Sequence, residues 1–378
     1  METYKLSDLC EILDSKRKPL SALQRAKKQG IYPYYGAQGI IDHLDEYLLD
    51  GEYLLVAEDG ANLDTRNQPI ANIANGKIWV NNHAHVLGNN GKCPLNLLGF
   101  ILNNMNISPY VTGCAQPKLN QENLRNIEIE LPSHIDRIAS ILSSLDRKIE
   151  LNNKINADLE EMAQAIFKNW FVDFEPFKDG KFVNSELGMI PEGWKVGTLD
   201  EIADITMGQS PAGNSLNEKG EGMIFYQGSS DFGFRFPSIR VFTTEPKRLA
   251  VVNSVLFSVR APVGDINVTK EECCIGRGVA SIKSKYGHDS YLFYTMKSLH
   301  KLFDSFDGEG TVFGSINKKT LSAIQILLPP DGIVEQFNNI ASSFDNRIRS
   351  LSDESSRLSL LRDTLLPRLM SGELEVPE

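Results

Sequence analysis

An internal duplication limits the fold of this chain more than any other feature of its sequence. Residues 4–12 match residues 194–202 at an offset of 190, with an aromatic residue, a lysine and the apolar positions in register. Further matches follow at offsets of 195, 197 and 199, and two of them place Asn120 over Asn317 and Asp146 over Asp345. The offset rises by only nine residues, from 190 to 199, which loop insertions explain. The 378 residues are therefore predicted to be two copies of one unit.

Each copy is predicted to begin with mixed structure. Short apolar runs such as residues 53–57 and 254–259 are separated by Gly, Asn and Pro, which is typical of short strands joined by turns. The mixed parts are therefore assigned to the α/β class, in its α+β form.

Each copy is then predicted to end in one long helix. Apolar residues alternate at spacings of four and three from residue 133 to residue 172, and the pattern repeats from residue 337 to residue 369. So long and narrow a stripe is typical of a coiled-coil seam. Because two copies tend to lie about a twofold axis, the helices are predicted to pair antiparallel and to separate two pseudo-symmetric globular domains. Asn152 and Asn156 fall on the seam, where they either fix its register or end one helix and start the next.

Composition favours a cytoplasmic protein that does not bind DNA strongly by itself. No apolar run is long enough to span a membrane, and residues 1–5 do not begin a signal peptide. The five cysteines form no C-x-x-C pair and are expected to be reduced core thiols. The net charge is -10, although residues 191–330 balance 15 basic with 15 acidic residues and so leave room for basic faces. If the chain binds DNA, another subunit is expected to supply part of the binding affinity.

Motifs for catalysis and cofactor binding are missing from the sequence. It contains no G-x-x-x-x-G-K-[ST] phosphate loop and no Ser, His and Asp in an order typical of a hydrolase. The glycine-rich residues 308–314 lack the spacing of a dinucleotide site and are interpreted as a turn or a nucleic-acid loop. His83 and His85 alternate along a strand and could share a metal, but no further ligand is near in sequence. The chain is therefore predicted to be no enzyme and to hold no metal or cofactor.

Polar segments flanked by glycine lie at matching places in both copies. Residues 34–39 and 226–230 each place an amide side chain beside glycines, and residues 81–83 match residues 276–278 at a strand end. Amides can pair bidentately with adenine and arginine with guanine, and glycine lets the backbone approach a nucleic acid closely. Any one of these residues is as easily explained as part of an ordinary turn, so the prediction depends on the duplication. The predicted DNA-binding residues are Tyr35, Gly36, Gln38, Asn81, Asn82, His83, Lys118, Gln209, Ser210, Gln227, Ser229, Arg260, Arg277 and Lys318.

Several of these motifs resemble the specificity subunit of type I restriction-modification enzymes, and the resemblance covers nearly the whole chain. The motifs inside the copies are residues 34–41 (Y-Y-G-A-Q-G-I-I), 51–60, 80–85, 207–211, 259–265 (V-R-A-P-V-G-D) and 275–278. Those at the joints are residues 167–174 (F-K-N-W-F-V-D-F), 187–194 (L-G-M-I-P-E-G-W) and 365–373 (L-L-P-R-L-M-S-G-E).

The resemblance implies a domain plan and a set of partners. The plan has target-recognition domains at 1–132 and 191–330, helical spacer regions at 133–172 and 331–372, a linker at 173–190 and a tail at 373–378. The implied partners are double-stranded DNA with a bipartite target, two methyltransferase subunits and two restriction subunits. Those subunits, rather than this non-catalytic chain, would bring S-adenosylmethionine, ATP and Mg²⁺. The alternative is a coiled-coil protein-interaction scaffold without DNA readout, and a nuclease ranks third.

Overall fold

The computed structural model describes residues 2–113, 116–306 and 314–374. Cys114 and most of the glycine-rich segment 308–314 lie outside the described residues. The chain forms two compact units: unit 1 is Met1–Asn153 with Asp353–Glu378, and unit 2 is Lys154–Ser352. This division follows compactness, so the boundaries expected for recognition domains and spacer regions stay predictions.

Unit 1 is built on a six-stranded sheet with the order β2-β7-β5-β6-β3-β4, beside a separate β1-β8 pair. Neighbouring strands are antiparallel except β3 and β6, which are parallel. Its strands are β1 (Glu2–Lys5), β2 (Cys10–Ile12), β3 (Gln29–Gly36), β4 (Gly39–Leu44), β5 (Leu49–Ala57), β6 (Ala71–Val80), β7 (Ala84–Asn89) and β8 (Glu128–Leu131). Its short helices are α1 (Leu6–Leu9), α2 (Ala22–Ala26), α3 (Asn62–Thr65), α4 (Leu95–Asn104) and α5 (Gln121–Arg125).

Two long helices follow the sheets of the two copies. They are α6 (Ile135–Phe171) and α11 (Asp331–Met370).

Unit 2 has shorter strands, which divide between two sheets where unit 1 has one. Its sheets are β12-β20-β17-β18 and β13-β15-β14-β19-β16, with β11-β21 and β9-β10 as separate pairs. The parallel pair is β14 and β19, in the place of β3 and β6. The strands are β9 (Phe182–Ser185), β10 (Gly188–Pro191), β11 (Lys195–Thr198), β12 (Ala203–Met207), β13 (Leu216–Asn217), β14 (Met223–Tyr226), β15 (Val241–Thr243), β16 (Leu249–Ala250), β17 (Val255–Ser258), β18 (Ile266–Val268), β19 (Cys273–Ile275), β20 (Val279–Ser284) and β21 (Gln325–Leu328). The short helices are α7 (Leu199–Ile202), α8 (Asp289–Ser298), α9 (His300–Asp304) and α10 (Lys318–Ser322).

The duplication is confirmed by equivalent local structure. Asn120 caps α5 by accepting the N–H of Asn123 at 2.8 Å, and Asn317 caps α10 by accepting the N–H of Thr320 at 3.0 Å. Satisfying a free N–H of the first turn in this way is what favours asparagine at both helix starts. The match at an offset of 197 therefore reflects a shared structure.

The strand registers correct the match at the start of the copies. In the β1-β8 pair, Tyr4 lies opposite Ile129. Ile326 is the counterpart of Ile129 in the second copy, and in the β11-β21 pair it lies opposite Gly197. The structural offset there is 193, so the predicted offset of 190 is wrong. The aromatic–lysine pair misled the match because Trp194 precedes its strand and packs 5.3 Å from Phe174, centroid to centroid, whereas Tyr4 lies within β1.

The predicted long helices are present, and within each unit they run antiparallel. In unit 1, Asp146 of α6 pairs with Arg362 of α11 at 2.6 Å. In unit 2, the Phe167 ring of α6 lies 5.5 Å from the Phe337 ring of α11. Further along α6, Asn152 faces Glu354 in unit 1, and in unit 2 Asn156 faces Ser352, so within each unit larger numbers on one helix face smaller numbers on the other.

The two seam asparagines lie inside α6 and do not end it. Asn152 donates to Glu354 at 2.9 Å, and Asn156 donates to Ser352 at 3.3 Å, so both are part of the helix pairing. The interpretation in which they separate two helices is therefore wrong, because their side-chain amides find polar partners across the seam.

Unit 2 anchors its sheets to both helices through buried charge. Arg235 is only 4% exposed and pairs with Glu160 of α6 and, at 2.9 Å, with Asp345 of α11. Its guanidinium also lies 4.0 Å from the centroid of the Phe293 ring. Burial raises the pKa of Asp345, whereas the charges of Arg235 and Lys297 overcome burial and lower the pKa of Glu160. A charge removed from such a cluster leaves its partner buried and unpaired, which is strongly destabilising.

The four described cysteines are buried. Cys10, Cys93, Cys273 and Cys274 are buried free thiols, and burial raises the pKa of the first three to about 12. Among the described residues, none of the helices combines the length and apolar character needed to cross a membrane.

Candidate functional site

Both units place their candidate residues where a parallel strand pair ends. Asn81, which follows β6, donates its N–H to Tyr35 O at 3.0 Å. Gly276, which follows β19, donates its N–H to Tyr226 O at 2.8 Å. We call this end of each sheet the loop edge: residues 36–39, 81–83 and 118 in unit 1, and residues 208–211, 227–229, 260 and 276–278 in unit 2.

The next strand repeats the correspondence. Glu58 N–H donates to His83 O at 2.9 Å, and Val259 N–H donates to Gly278 O at 3.0 Å. One residue further on, the backbone of Asp59 forms an isolated antiparallel β-bridge with Lys118. Arg260 forms the equivalent bridge with Ser315. The structure thus places Asp59 over Arg260, so the two loop edges carry opposite charges at this position.

The counterpart of Lys118 in unit 2 is Ser315, at the offset of 197 residues. Lys318, the other lysine predicted to bind DNA, is an exposed residue of the first turn of α10.

In unit 1, the candidate residues divide into exposed side chains and residues that shape the turn. Gln38, Asn82, His83 and Lys118 are exposed. Asn81 is buried, and its Oδ1 accepts the His83 N–H at 2.8 Å, so it holds the turn. Gly36 is also buried, and Tyr35 is half-buried, which raises the pKa of its phenol.

A buried pair, which the sequence analysis did not identify, supports this loop edge. His85 is fully buried, with Nδ1 2.6 Å from Asp14 Oδ2 and Nε2 2.7 Å from Leu119 O. Since a carbonyl oxygen only accepts, Nε2 carries a proton. Asp14 also accepts from Val86 N–H at 2.9 Å and from Gln121 at 3.0 Å. Burial raises the pKa of Asp14, but these hydrogen bonds and the His85 and Arg17 charges lower it further than burial raises it.

Arg17 and Glu58 extend the pair into a network. Arg17 Nη1 donates to Glu58 at 2.6 Å and to Ala84 O at 3.0 Å, and Lys118 contacts the same carboxylate at 3.2 Å. Burial raises the pKa of Glu58, yet these cations and His85 lower it overall. We call Asp14, Arg17, Glu58 and His85 the buried network. Asp14 and Arg17 are three residues apart, but Glu58 and His85 are far from them in sequence, so no local pattern could reveal the network.

The buried network does not have the chemistry of a metal site, although Asp14, Glu58 and His85 place three potential ligand atoms within 4.8 Å. His85 Nδ1 is hydrogen-bonded to Asp14 and Nε2 to the Leu119 carbonyl, and Arg17 pairs with both carboxylates. A metal ligand histidine needs a free nitrogen lone pair. His83 lies apart from this network, with Nδ1 2.8 Å from Asp59.

In unit 2, neutral groups organise the loop edge. Ser210 Oγ donates to Gln227 Oε1 at 3.0 Å and accepts the Arg277 N–H at 3.3 Å. Gln209, Gln227, Arg260 and Arg277 are exposed. Ser229 is half-buried and opens a short 3-10 turn, Ser229–Asp231.

Two glycines let the backbone segments of this edge pack together. A Cβ on Gly208 would collide with the carbonyl oxygen of Gly276 and lie 2.6 Å from that of Val279. A Cβ on Gly276 would lie 2.6 Å from Gln227 Oε1. Only glycine fits at either position without a shift of the backbone or of Gln227.

Comparisons with known proteins agree with this architecture. Residues 1–161 and 191–358 match the model of the type I restriction modification DNA specificity domain. The putative type I restriction enzyme MjaX specificity subunit of Methanocaldococcus jannaschii is 35% identical over 281 residues, covering 72% of this chain and 65% of that protein. The MjaIX specificity subunit of the same organism is 28% identical over 286 residues, covering 70% and 65%. The chain thus matches slightly less than two thirds of the length of these relatives.

A solved structure shares the fold. The S subunit of a type I restriction-modification system from M. genitalium superposes with a TM-score of 0.60 at 16% identity, covering all of this chain and 96% of that one. The family model matches most of the chain, once in each copy. The chain therefore belongs to the family of type I restriction modification DNA specificity domains, of which it carries two.

Proposed function

We propose that this chain is the non-catalytic DNA-recognition subunit of a type I restriction-modification complex and works in the cytoplasm. Each loop edge binds one half of a bipartite target in double-stranded DNA. The observation that carries the proposal is the shared backbone bond, Asn81 to Tyr35 and Gly276 to Tyr226, which presents exposed polar side chains from the same strand ends in both units.

The exposed side chains have the chemistry that base edges require. Unit 1 offers the amides of Gln38 and Asn82, and unit 2 offers Gln227 with Arg277. Amides suit adenine and arginine suits guanine in the major groove. Hydrogen bonds hold the backbone of both edges, buried ones around His85 in unit 1 and the bonds of Ser210 to Gln227 and Arg277 in unit 2. The recognition domains of the proposal are residues 1–132 and 191–330.

The long helices hold the methyltransferase subunits. Ile141 and Ile340 occupy equivalent positions in the two copies, and each is 37% exposed. Met162 and Leu361 are likewise equivalent and are 50% and 46% exposed. A surface that is apolar and duplicated fits two copies of one partner. The methyltransferase subunits would bring S-adenosylmethionine, and the restriction subunits ATP and Mg²⁺.

Selection from a randomised duplex library tests the DNA part of the proposal. The full chain is co-purified with its methyltransferase subunit, and the bound duplexes are sequenced. We expect two short fixed elements separated by bases without preference. Co-purification without any sequence enrichment would instead support the scaffold interpretation.

Charge placed on the duplicated helix surface tests the partner part. Ile141→Asp with Ile340→Asp is expected to abolish co-purification with the methyltransferase subunit while both units stay folded. Leu151→Asp is the matched control, because Leu151 is 51% exposed but its counterpart is the polar Ser350. Equal loss in both variants would contradict a duplicated docking surface.

A further inference from the structure

One residue of unit 1 takes a place that Gln209 holds in unit 2. Lys18 N–H donates to Val80 O at 3.1 Å, and Gln209 N–H donates to Ile275 O at 2.9 Å. Val80 and Ile275 end the equivalent strands β6 and β19. Lys18 therefore lies at the loop edge of unit 1, where sequence alignment did not place it because the preceding turns differ in length.

Of the three consecutive cations Lys16, Arg17 and Lys18, one is anchored and two lie at the surface, where the charge of Lys18 also helps to lower the pKa of Glu46. Arg17 is turned inward, where it pairs with Asp14 at 3.2 Å and with Glu58 at 2.6 Å. Lys16 and Lys18 on either side of it are exposed, and within the described ranges neither forms an ion pair. The Lys18 ammonium lies 6.0 Å from the centroid of the Trp79 ring. The buried network thus fixes the backbone between two lysines that face solvent.

The charge of this stretch is unusual for the chain. Residues 15–41 contain six Lys or Arg and no Asp or Glu, in a chain with a net charge of -10. Three of the six, Arg17, Arg25 and Lys28, pair with acidic residues outside the stretch, which leaves Lys16, Lys18 and Lys27. The corresponding stretch of unit 2, residues 206–232, contains one basic residue, Lys219, and three acidic ones, Glu218, Glu221 and Asp231. In this stretch the surplus of Lys and Arg is therefore found in unit 1 and not in unit 2.

We infer that Lys16 and Lys18 bind backbone phosphates of the DNA beside the bases contacted by unit 1. The inference rests on the proposed function and adds to it a sequence-independent contact that unit 2 lacks. A compact ammonium on a flexible stem suits a phosphate, whereas the amide of Gln209 at the same place suits a base edge. Unit 1 then contributes more of the salt-dependent affinity than unit 2.

The salt dependence of binding tests this inference. The full chain with its methyltransferase subunit is titrated against the randomised duplex pool from 0.05 to 0.2 M salt, as wild type and as Lys16→Ala with Lys18→Ala. A plot of log affinity against log salt concentration should be less steep by about 1.8 when two phosphate contacts are lost. The affinity advantage of the wild type over the double variant therefore shrinks about 12-fold between 0.05 and 0.2 M salt. Lys27→Ala is the matched control, since Lys27 is an exposed lysine before the opposite end of β3.

Base preferences and partner binding separate the outcomes. We expect the selected sequences and the binding of the methyltransferase subunit to be unchanged in the double variant. An unchanged salt slope, altered base preference or loss of the methyltransferase subunit would overturn the inference and leave the proposed function standing. Absence of DNA binding by the wild-type complex would overturn both.

Discussion

The loop edges of the two units reach the same backbone geometry with different chemistry. In unit 1, Asp14, Arg17, Glu58 and His85 form a buried network of charges beneath the turn. In unit 2, the equivalent turn is held by one serine hydroxyl and by close backbone contacts at Gly208 and Gly276.

The two copies therefore share the strand ends and not the side chains beneath them. The parallel pairs β3-β6 and β14-β19 fix where the loops begin. The supporting side chains differ, and so do the exposed side chains of the two loop edges. Under the proposed function, this difference would let the two units bind unrelated half-sites.

Removing the histidine of the buried network is expected to have the largest effect. His85→Ala removes the 2.6 Å partner of Asp14, leaves Leu119 O unpaired and opens a cavity, so it should destabilise unit 1 by about 2 to 4 kcal/mol even though Arg17 still pairs with Asp14. Hydrogen exchange read separately on peptides of the two units measures this loss. His43→Ala, at an exposed histidine of β4, should stay within about 0.5 kcal/mol. Similar protection loss in both variants would mean that the buried network does not hold the edge.

In unit 2 the matching effect comes from added volume. Gly208→Ala forces a Cβ against the carbonyl oxygens of Gly276 and Val279 and should cost about 1 to 3 kcal/mol. Gly228→Ala is the control, since nothing lies within 4 Å of a Cβ there. Urea unfolding followed by hydrogen exchange of unit 2 distinguishes them. A stable Gly208→Ala protein would show that close backbone packing is not what shapes this edge.

The comparison also explains what the sequence could reveal. Repeated apolar spacing predicted both long helices, and the duplication predicted two equivalent strand ends. Both signals can be read directly from the sequence, without knowing which residues meet in the fold. The buried network could not be predicted, because Asp14, Glu58 and His85 meet only through sheet pairing. Asn81 was assigned to DNA binding by its residue type, whereas burial gives it a structural role. Lys18 was missed because its equivalence to Gln209 is a matter of backbone bonding.

A smaller effect is expected at the helix seam, which lies outside both loop edges. Asn152 Oδ1 is buried without a hydrogen-bond partner within the described part of the chain. Asn152→Leu removes this unsatisfied oxygen and should stabilise unit 1 by about 1 to 2 kcal/mol. Thermal unfolding measures the gain, and Asn153→Leu at the neighbouring exposed position is the control. Destabilisation by Asn152→Leu would show that the amide contributes more than its unpaired oxygen costs.

The smallest expected effect is a pH dependence of unit 1. The pKa values of Asp14 and Glu58 are lowered in the folded chain, so their stabilisation is complete above the unfolded carboxylate pKa of about 4 and is lost as pH falls through the lowered values. Protection of residues 81–89 against hydrogen exchange, corrected for the pH dependence of the intrinsic exchange rate, should stay constant from pH 7 to pH 5 and fall below about pH 4. Asp14→Asn should weaken this acid response. A loss of protection between pH 7 and pH 5 that Asp14→Asn removes would contradict the assignment.

The most direct test of the central claim, that each unit binds one half of the target, compares two single variants. Arg277→Ala and Asn82→Ala are each assembled with the methyltransferase subunit and selected against the randomised duplex library. Each should lose about 1 to 3 kcal/mol of discrimination, Arg277→Ala in one fixed element and Asn82→Ala only in the other. Relaxed preference in both elements from either single change, or in the same element from both changes, would contradict the account.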